Sequence, residues 1–174
     1  MLREFRKLRV FLLAVLLLGS YGCTCKCPPL QEDHLIVGAT EKIHVKEAAL
    51  DFLARIDTGA RTTSIHATEV VCKDPSPNKK ADIGKPISFL VTNEQGEQQR
   101  IETTITEVTE VRNAQGVETR YAVPMTLQWQ GNTKQINVNL RDRSAMSYKL
   151  LIGRDWLSGN CVVNVDVNQD VRKK

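Results

Sequence analysis

Residues 54–60 read Ala-Arg-Ile-Asp-Thr-Gly-Ala, and this stretch decides the fold. The alternating apolar residues that lead into it, Leu50–Ile56, predict a strand with one buried face. At the end of that strand, Thr58 can hydrogen-bond to nearby backbone and Gly59 allows another backbone to approach closely. The sequence therefore predicts that Asp57 is presented on a rigid turn. Taken alone, the triplet is a weak signal that occurs by chance, and on it alone a hairpin turn with a solvated aspartate is the favoured interpretation.

A second informative segment lies far downstream, at residues 150–157, and reads Leu-Leu-Ile-Gly-Arg-Asp-Trp-Leu. Buried apolar residues precede Gly153, and a polar pair, Arg154 and Asp155, follows it. This order predicts a short apolar strand and then a short helix that begins after the glycine.

The rest of the chain shows short strands separated by frequent turns. Glycine-containing turns at 93–96, 113–116 and 131–132 divide the apolar runs, and residues 73–86, with three prolines and four lysines, form a loop. The predicted strands are 35–37, 43–45, 50–56, 64–71, 87–92, 99–111, 119–130, 135–140 and 162–167. Such a pattern is typical of an all-β sandwich or barrel.

Asp-Thr-Gly-Ala at 57–60, followed by apolar-apolar-Gly-Arg-Asp at 151–155, resembles the retropepsin family of aspartic peptidases. The longer strings at 54–67 (ARIDTGARTTSIHA) and 146–157 (MSYKLLIGRDWL) are similar to a bacterial retropepsin-like family that has carried the label "ATP-dependent zinc protease". The resemblance covers roughly residues 36–168. It implies a closed all-β barrel or sandwich, equivalent to half of an acid protease, with one short C-terminal helix. The second motif would pack behind the Asp-Thr-Gly loop.

The resemblance also implies that two aspartates share one proton and activate a water for attack on a peptide carbonyl. The chain holds a single Asp-Thr-Gly triplet, so the second aspartate would come from a second copy in a homodimer with two-fold symmetry. Asp57 would be the catalytic carboxylate, Thr58 would brace the paired loops, and Gly59 would let the two backbones meet. We expect the hairpin around 93–98 to form a flap over the substrate. No cofactor is expected.

Arg61 departs from the viral retropepsins, which carry at this position an aspartate that pairs with the arginine of the Gly-Arg motif. One interpretation is a relocated structural ion pair between Arg61 and Asp155. The other is that Arg61 contacts an acidic substrate, because the guanidinium fork suits carboxylates. Relatives of the family are associated with glutamate-ligating enzymes, which agrees with an acidic peptide. The departure argues against a general endopeptidase of the viral type.

The predicted site therefore contains three sets of residues. The catalytic set is Asp57, Thr58 and Gly59. The set that contacts substrate is Ala60 and Arg61, with Arg55, Arg141 or Arg143 as further candidates. The set that supports the site is Gly153, Arg154 and Asp155.

The chain lacks the motifs of a zinc peptidase or an ATPase. Its histidines are His34, His44 and His66, and none lies in a His-Glu-x-x-His context. His66 follows Asp57 closely enough to lie near the site, although a surface or strand-packing position is the expectation. No Gly-x-x-x-x-Gly-Lys-Ser/Thr motif is present. We therefore expect neither a metal site nor an ATP site.

Charge and composition give no reason to expect a nucleic-acid partner. The formal net charge is +4, but without residues 1–22 the chain keeps 20 basic and 19 acidic side chains, a balance near neutrality. Aromatic residues make up only 5% of the chain, which argues against base stacking.

The amino terminus has the layout of an export signal. A basic segment at 1–9 precedes an uncharged apolar run at 10–18 and small residues before Cys23. We expect residues 1–22 to be a signal peptide, 23–33 a tether and 34–174 the retropepsin-like domain. Acylation of Cys23 would place the protein on the periplasmic side of the outer membrane as a lipoprotein. The alternative is simple cleavage to a soluble periplasmic or secreted protein.

These observations leave three hypotheses about function. The leading one is an exported, lipid-anchored aspartic peptidase that acts as a homodimer on peptide or protein substrates. The second is an envelope binding or assembly protein that keeps the fold and has lost hydrolysis, since fold alone does not fix chemistry. The third is a metallopeptidase, which would require bound zinc.

Overall fold

Strand formation follows the alternation of apolar residues seen in the sequence. In the computed structural model, which describes residues 34–113, 116–159 and 161–168, Phe52, Ala54 and Ile56 are buried while Arg55 is exposed. The described residues form β1 (Leu35–Val37), β2 (Thr40–Val45), β3 (Leu50–Ile56), β4 (Ser64–Cys72), β5 (Pro86–Thr92), β6 (Gln98–Thr104), β7 (Glu107–Asn113), β8 (Gly116–Trp129), β9 (Asn132–Arg141), β10 (Leu150–Ile152), β11 (Cys161–Val163) and the helix α1 (Arg154–Leu157). The predicted all-β fold with one short C-terminal helix is confirmed.

Six of these strands form a ring. Its order is β10-β3-β2-β8-β9-β4, and β10 pairs with both β3 and β4, which returns the path to its start. The strands β5 and β6 extend the sheet beyond β4, and β7 pairs with β8. A separate parallel pair joins β1 to β11.

The core is the apolar face that these strands turn towards one another. Its largest fully buried side chains include Ile43, Phe52, Phe89, Met125 and Leu127. The helix α1 packs against this core, and the ring of Trp156 meets that of Trp129 edge to face, with 6.3 Å between centroids. Edge-to-face contact is a favoured geometry for aromatic pairs. The strand β3, which carries Asp57 at its end, is therefore embedded in packed structure.

The predicted single strand over 99–111 is wrong, because the chain changes partner within it. The strand β6 pairs with β5, whereas β7 pairs with β8. Between them, Ile105 is buried and its N–H donates to Lys85 O at 3.0 Å, while the N–H of Thr106 donates to Ala122 O at 3.0 Å. Apolar alternation continues across such a change of direction, so the pattern alone does not reveal the break.

The predicted final strand over 162–167 is also shorter than expected. Pairing in β11 ends at Val163, and the Asn164 side-chain oxygen accepts from Asp166 N at 3.0 Å, which forms a turn. Val167 O then accepts from Ala39 N at 2.7 Å. An asparagine that bonds to the backbone two residues on is a common turn former.

The predicted loop over 73–86 is confirmed up to Lys85 and contains one 3-10 turn, Lys79–Asp82. The loop is held by the fully buried carboxylate of Asp82, which accepts from Lys85 Nζ (2.7 Å), Tyr121 OH (2.6 Å) and Ser76 N (2.7 Å). The ammonium of Lys85 and then the Tyr121 hydroxyl hold the pKa of Asp82 well below its usual range. A buried carboxylate is thus balanced by hydrogen bonds.

The predicted signal peptide, Cys23 and the predicted tether lie outside the described residues. Cys72 and Cys161 carry free thiols. Over the described part of the chain, no helix has the length and apolar character needed to span a membrane.

Two side chains, Glu94 and Asn93, fasten the turn between β5 and β6 to the ring. Glu94 accepts from Leu53 N on β3 at 2.9 Å and from Lys149 N, just before β10, at 2.7 Å. Asn93 adds a bond to Asp51 O at 3.1 Å. The carboxylate therefore links two strands at the point where their parallel pairing begins.

We predict that Glu94→Ala lowers the free energy of unfolding by about 2 kcal/mol, because two backbone N–H groups lose a charged acceptor. Glu94→Gln keeps one oxygen acceptor and should lose about half as much. Urea unfolding measures both. The exposed neighbour Gln95, changed to Ala, is the control and should be nearly neutral. Equal stability of Glu94→Ala and this control would show that the link is unimportant.

Candidate active site

The loop that carries Asp57 continues the pairing of β3 with β10. The Asp57 N–H donates to Ile152 O at 2.9 Å. The chain then turns, and one carboxylate oxygen of Asp57 accepts from Gly59 N at 2.9 Å and from Ala60 N at 3.1 Å. These bonds fix the orientation of a half-buried carboxylate, and Thr58 and Gly59 are exposed beside it. The structure thus presents Asp57 on a rigid turn.

The Gly-Arg-Asp segment lies directly behind this loop. A Cβ on Gly153 would be 2.6 Å from the carbonyl carbon of Thr62, so only glycine permits this approach. The N–H of Arg154 donates to Ala60 O at 2.9 Å. Its guanidinium donates to Thr58 O at 3.0 Å and to Gly59 O at 3.3 Å. Both the backbone and the side chain of Arg154 therefore hold the Asp57 loop.

The predicted ion pair between Arg61 and Asp155 is wrong. Both oxygens of Asp155 are taken by Thr63, with the N–H at 2.8 Å and the hydroxyl at 2.7 Å. Arg61 contributes its carbonyl to this region, which accepts from Asp155 N at 3.2 Å, while its side chain is exposed. The backbone N–H and the hydroxyl of Thr63 therefore satisfy the two oxygens of Asp155 that the prediction assigned to Arg61.

Thr63 is a site residue that sequence reasoning missed. Besides donating to Asp155, its fully buried hydroxyl accepts from Gly153 N at 3.1 Å. The residue connects the Asp57 loop, the Gly-Arg-Asp segment and the start of β4. Its sequence signal is weak, since a threonine before a strand is common.

A cavity of about 390 Å³ opens beside Asp57. Of the described residues, five arginines line it, against two carboxylates, Asp57 and Glu110. The arginines are Arg61, Arg112, Arg120, Arg141 and Arg143. Glu110 is paired with Lys80 at 2.9 Å. The cavity is therefore strongly cationic.

The structure brings three of the predicted arginines, Arg61, Arg141 and Arg143, to the cavity, whereas Arg55 does not line it. Sequence reasoning missed Arg112 and Arg120, which lie on β7 and β8. Both residues are far from Asp57 in the sequence, so no local pattern predicts that they line the cavity. Only the pairing of this hairpin beside the ring brings them to the site.

The expected flap at 93–98 is wrong. That turn is fastened to β3 and to Lys149 by Glu94, and none of its residues lines the cavity. The β7–β8 hairpin forms a wall of the cavity instead, through Thr109, Glu110, Val111, Arg112 and Arg120. Turn signals in the sequence identify both hairpins but do not say which one faces Asp57.

Arg143 is buried and held in place from several sides. Its Nε donates to Tyr148 O at 3.0 Å and one terminal nitrogen donates to Ser64 Oγ at 3.1 Å. Burial and then the neighbouring Arg141 and Arg120 lower the pKa of Arg143 to about 10, and the negative charges of Asp57 and Glu94 oppose that change. The guanidinium therefore keeps its charge at neutral pH.

His66 packs within the strand β4 and supports Arg143. The side chain is buried, and its Nδ1 accepts from Arg143 N at 2.9 Å. Burial, the largest effect, and the charge of Lys149 lower the pKa of His66. Within residues 34–113, 116–159 and 161–168, no three histidine, cysteine or acidic side chains lie close enough together to hold a metal ion.

Comparison with known proteins gives a match to one family model and to several relatives. The family model is described as RimB-like, retropepsin-like aspartic endopeptidase RimB, and it matches residues 36–174. Proteins from Shewanella pealeana and Shewanella halifaxensis, each named probable alpha-L-glutamate ligase, are 31% and 30% identical over 116 residues, or 64% of this chain and 24% of each relative. A protein of the same name from Parasynechococcus marenigrum is 33% identical over 135 residues, or 75% of this chain and 28% of that protein. The chain therefore spans about a quarter of the length of these relatives.

A solved structure shows the same fold. It is a Legionella pneumophila protein of unknown function, with a TM-score of 0.62 and 23% sequence identity. The match covers 76% of this chain and 95% of that protein.

We predict that Thr63→Val lowers the free energy of unfolding by about 2–3 kcal/mol. The change preserves the shape of the side chain but leaves Gly153 N–H and an Asp155 oxygen without their partner. Thr63→Ser keeps the hydroxyl and is the matched control, with a smaller loss from the missing methyl group. Urea unfolding of the two variants measures the contribution of the hydroxyl to the free energy of unfolding. If valine is tolerated as well as serine, the Thr63 hydroxyl does not hold the site together.

Proposed function

Because the chain belongs to the RimB-like family of retropepsin-like aspartic endopeptidases, we propose that it hydrolyses peptide bonds with the Asp57 carboxylates of two copies. The observation that carries the proposal is the fixed, half-buried Asp57 carboxylate beside a cavity large enough for part of a peptide. The other carboxylate that lines this cavity among the described residues, Glu110, is paired with Lys80. A second Asp57 from a homodimer partner supplies the missing group.

The proposed chemistry follows from two carboxylates that share one proton. The ionised carboxylate takes a proton from water as the water oxygen bonds to the peptide carbonyl carbon, and the protonated one gives its proton to the carbonyl oxygen. The resulting tetrahedral intermediate collapses when its carbon–nitrogen bond breaks. As that bond breaks, the protonated carboxyl gives its proton to the departing nitrogen, and the ionised carboxylate takes one from a hydroxyl of the intermediate, so that the pair again holds one proton. The exposed Thr58 and Gly59 are available for contact between the two loops.

We propose that the substrates are acidic peptides. The cavity carries five arginine charges against two carboxylates among the described residues, and such a surface attracts glutamate or aspartate side chains. The matched relatives are named as glutamate ligases, which agrees with a substrate rich in glutamate. The same cavity would serve the alternative, a protein that binds acidic partners without hydrolysis.

We further propose that the protein is exported and anchored through an acylated Cys23. The support is the sequence of residues 1–23, with its basic start, apolar run and cysteine. A peptidase placed in this way would act on acidic peptides of the cell envelope.

We predict that the full chain cleaves glutamate-rich members of a peptide library and that Asp57→Asn lowers the rate by at least about a thousandfold. The assay should run between about pH 3.5 and about pH 7.5, where carboxyl groups change their ionisation. Arg100→Gln, on β6 away from the cavity, is the control. Cleavage that survives in Asp57→Asn would refute the assignment. Loss of activity with a chelator would favour the metallopeptidase.

We predict that Asp57→Asn subunits suppress wild-type activity in a mixture. If each site needs one Asp57 from each copy, mixed dimers are inactive, and an equal mixture after subunit exchange keeps about half of the activity of the same wild-type amount alone. Peptide cleavage before and after exchange measures this, with Arg100→Gln subunits as the matched partner that should cause no loss. Unchanged activity with Asp57→Asn would mean that one chain holds a complete site.

A further inference from the structure

The hairpin that walls the cavity carries a pair of polar side chains placed directly opposite each other. Thr109 on β7 is the cross-strand partner of Arg120 on β8. Side chains at such positions share one face of the sheet and lie close together. Both line the cavity that contains Asp57, and both are buried, with 5% and 6% of their surface exposed.

Each residue of this pair has a buried polar atom that lacks a partner among the described residues. The atoms are the hydroxyl oxygen of Thr109 and Nε of Arg120. Leaving such a group unsatisfied is costly, so two together on one cavity wall require an explanation. Arg143, the other buried arginine of the cavity, shows the contrast, since its Nε donates to Tyr148 O.

Arg120 makes a side-chain contact that leaves its Nε–H without a partner among the described residues. One terminal nitrogen is held by the carboxylate of Glu118 on the same strand. That contact holds the pKa of Glu118 below its usual range. Glu118 does not line the Asp57 cavity but faces a neighbouring one, which Arg120 also lines. Glu118 thus engages the guanidinium while leaving Nε–H as a donor.

An anionic group that accepts hydrogen bonds would satisfy both of these atoms. The hydroxyl of Thr109 and the Nε–H of Arg120 are donors on directly opposite residues, and Arg141 and Arg143 line the same cavity and add positive charge. We infer that Thr109 and Arg120 form a subsite for one side-chain carboxylate of the substrate, which joins the β7–β8 hairpin to the bound peptide. This inference rests on the proposed action on acidic peptides and assigns their recognition to the hairpin.

The subsite distinguishes a carboxylate from an amide of the same shape. A glutamate oxygen accepts from both donors and brings a negative charge to the cationic wall, whereas the glutamine amide is neutral and half of it is a donor. Hydrogen bonds to ionised groups are roughly twice as strong as neutral ones. Preference for glutamate over glutamine should therefore depend on these two residues.

The test measures binding in the Asp57→Asn background, where the probe is not consumed. The probes are a blocked tetraglutamate peptide and a blocked tetraglutamine peptide, each titrated by calorimetry into the full chain at neutral pH. We expect tetraglutamate to bind much more tightly. Adding Arg120→Gln should weaken tetraglutamate binding by about tenfold or more, and adding Thr109→Val by about fivefold. Arg100→Gln, which removes the same charge outside the cavity, should leave binding unchanged.

Several outcomes would overturn the inference. They are tetraglutamate affinity that Thr109→Val leaves unchanged, equal affinity for the two probes, or no binding of tetraglutamate. If Arg120→Gln fails to fold, as thermal unfolding would show, Thr109→Val alone decides, because it preserves the shape of the side chain.

The same experiment separates this inference from the proposed peptidase activity. Tight tetraglutamate binding that depends on Thr109, together with a wild type that cleaves nothing, would refute the peptidase and support the subsite. Cleavage of the glutamate and glutamine peptides at equal rates would refute the subsite and support the peptidase.

Discussion

The parallel pairing of β3 with β10 is the constraint on which the rest of the structure depends. It closes the ring of strands and continues past the end of β3, where Asp57 N–H donates to Ile152 O. Because β10 leads at once into Gly153, the same pairing places the Gly-Arg-Asp segment behind the Asp57 loop. The absent Cβ of Gly153 allows backbone to meet backbone there. The strand pairing that closes the ring therefore also presents Asp57.

The parts of this arrangement that depend on local pattern could be predicted from the sequence. Alternation in β3 gave the correct buried face, and the two motifs indicated the all-β family and the helix after Gly153. The parts that depend on distant pairing could not be predicted. Arg112 and Arg120 reach the cavity only because β7 pairs with β8. Both carboxylate oxygens of Asp155 accept from Thr63, which directly precedes β4, while the Arg61 side chain is exposed; this depends on how distant segments meet, which the sequence pattern does not show.

The concentration of arginines in the cavity has an energetic cost, which hydrogen-bond acceptors around them offset in part. Like charges that gather in a partly dry space repel one another, and burial adds a further penalty for each ion. Hydrogen-bond acceptors around the arginines offset part of this cost: Tyr148 O and Ser64 Oγ accept from Arg143, and Glu118 accepts from Arg120. Of these acceptors only Glu118 carries a negative charge, and it does not line the Asp57 cavity. The arginines are therefore held in place while Asp57 and Glu110 are the carboxylates that line the cavity among the described residues.

The β7–β8 hairpin combines cationic side chains with an outer strand that pairs with one neighbour. The strand β7 pairs with β8 alone, so one of its edges makes no sheet contact within the described chain. An element with a single neighbour is held less firmly than a strand of the ring, which has two. Its polar residues Thr109 and Arg120 line the cavity, and each has a buried donor atom that lacks a partner among the described residues. A hairpin in this position gains more from an anion in the cavity than the rigid β3 wall does, because the anion supplies both the missing acceptor and a second attachment. Recognition of a carboxylate at the proposed subsite would therefore also attach the hairpin to the bound peptide.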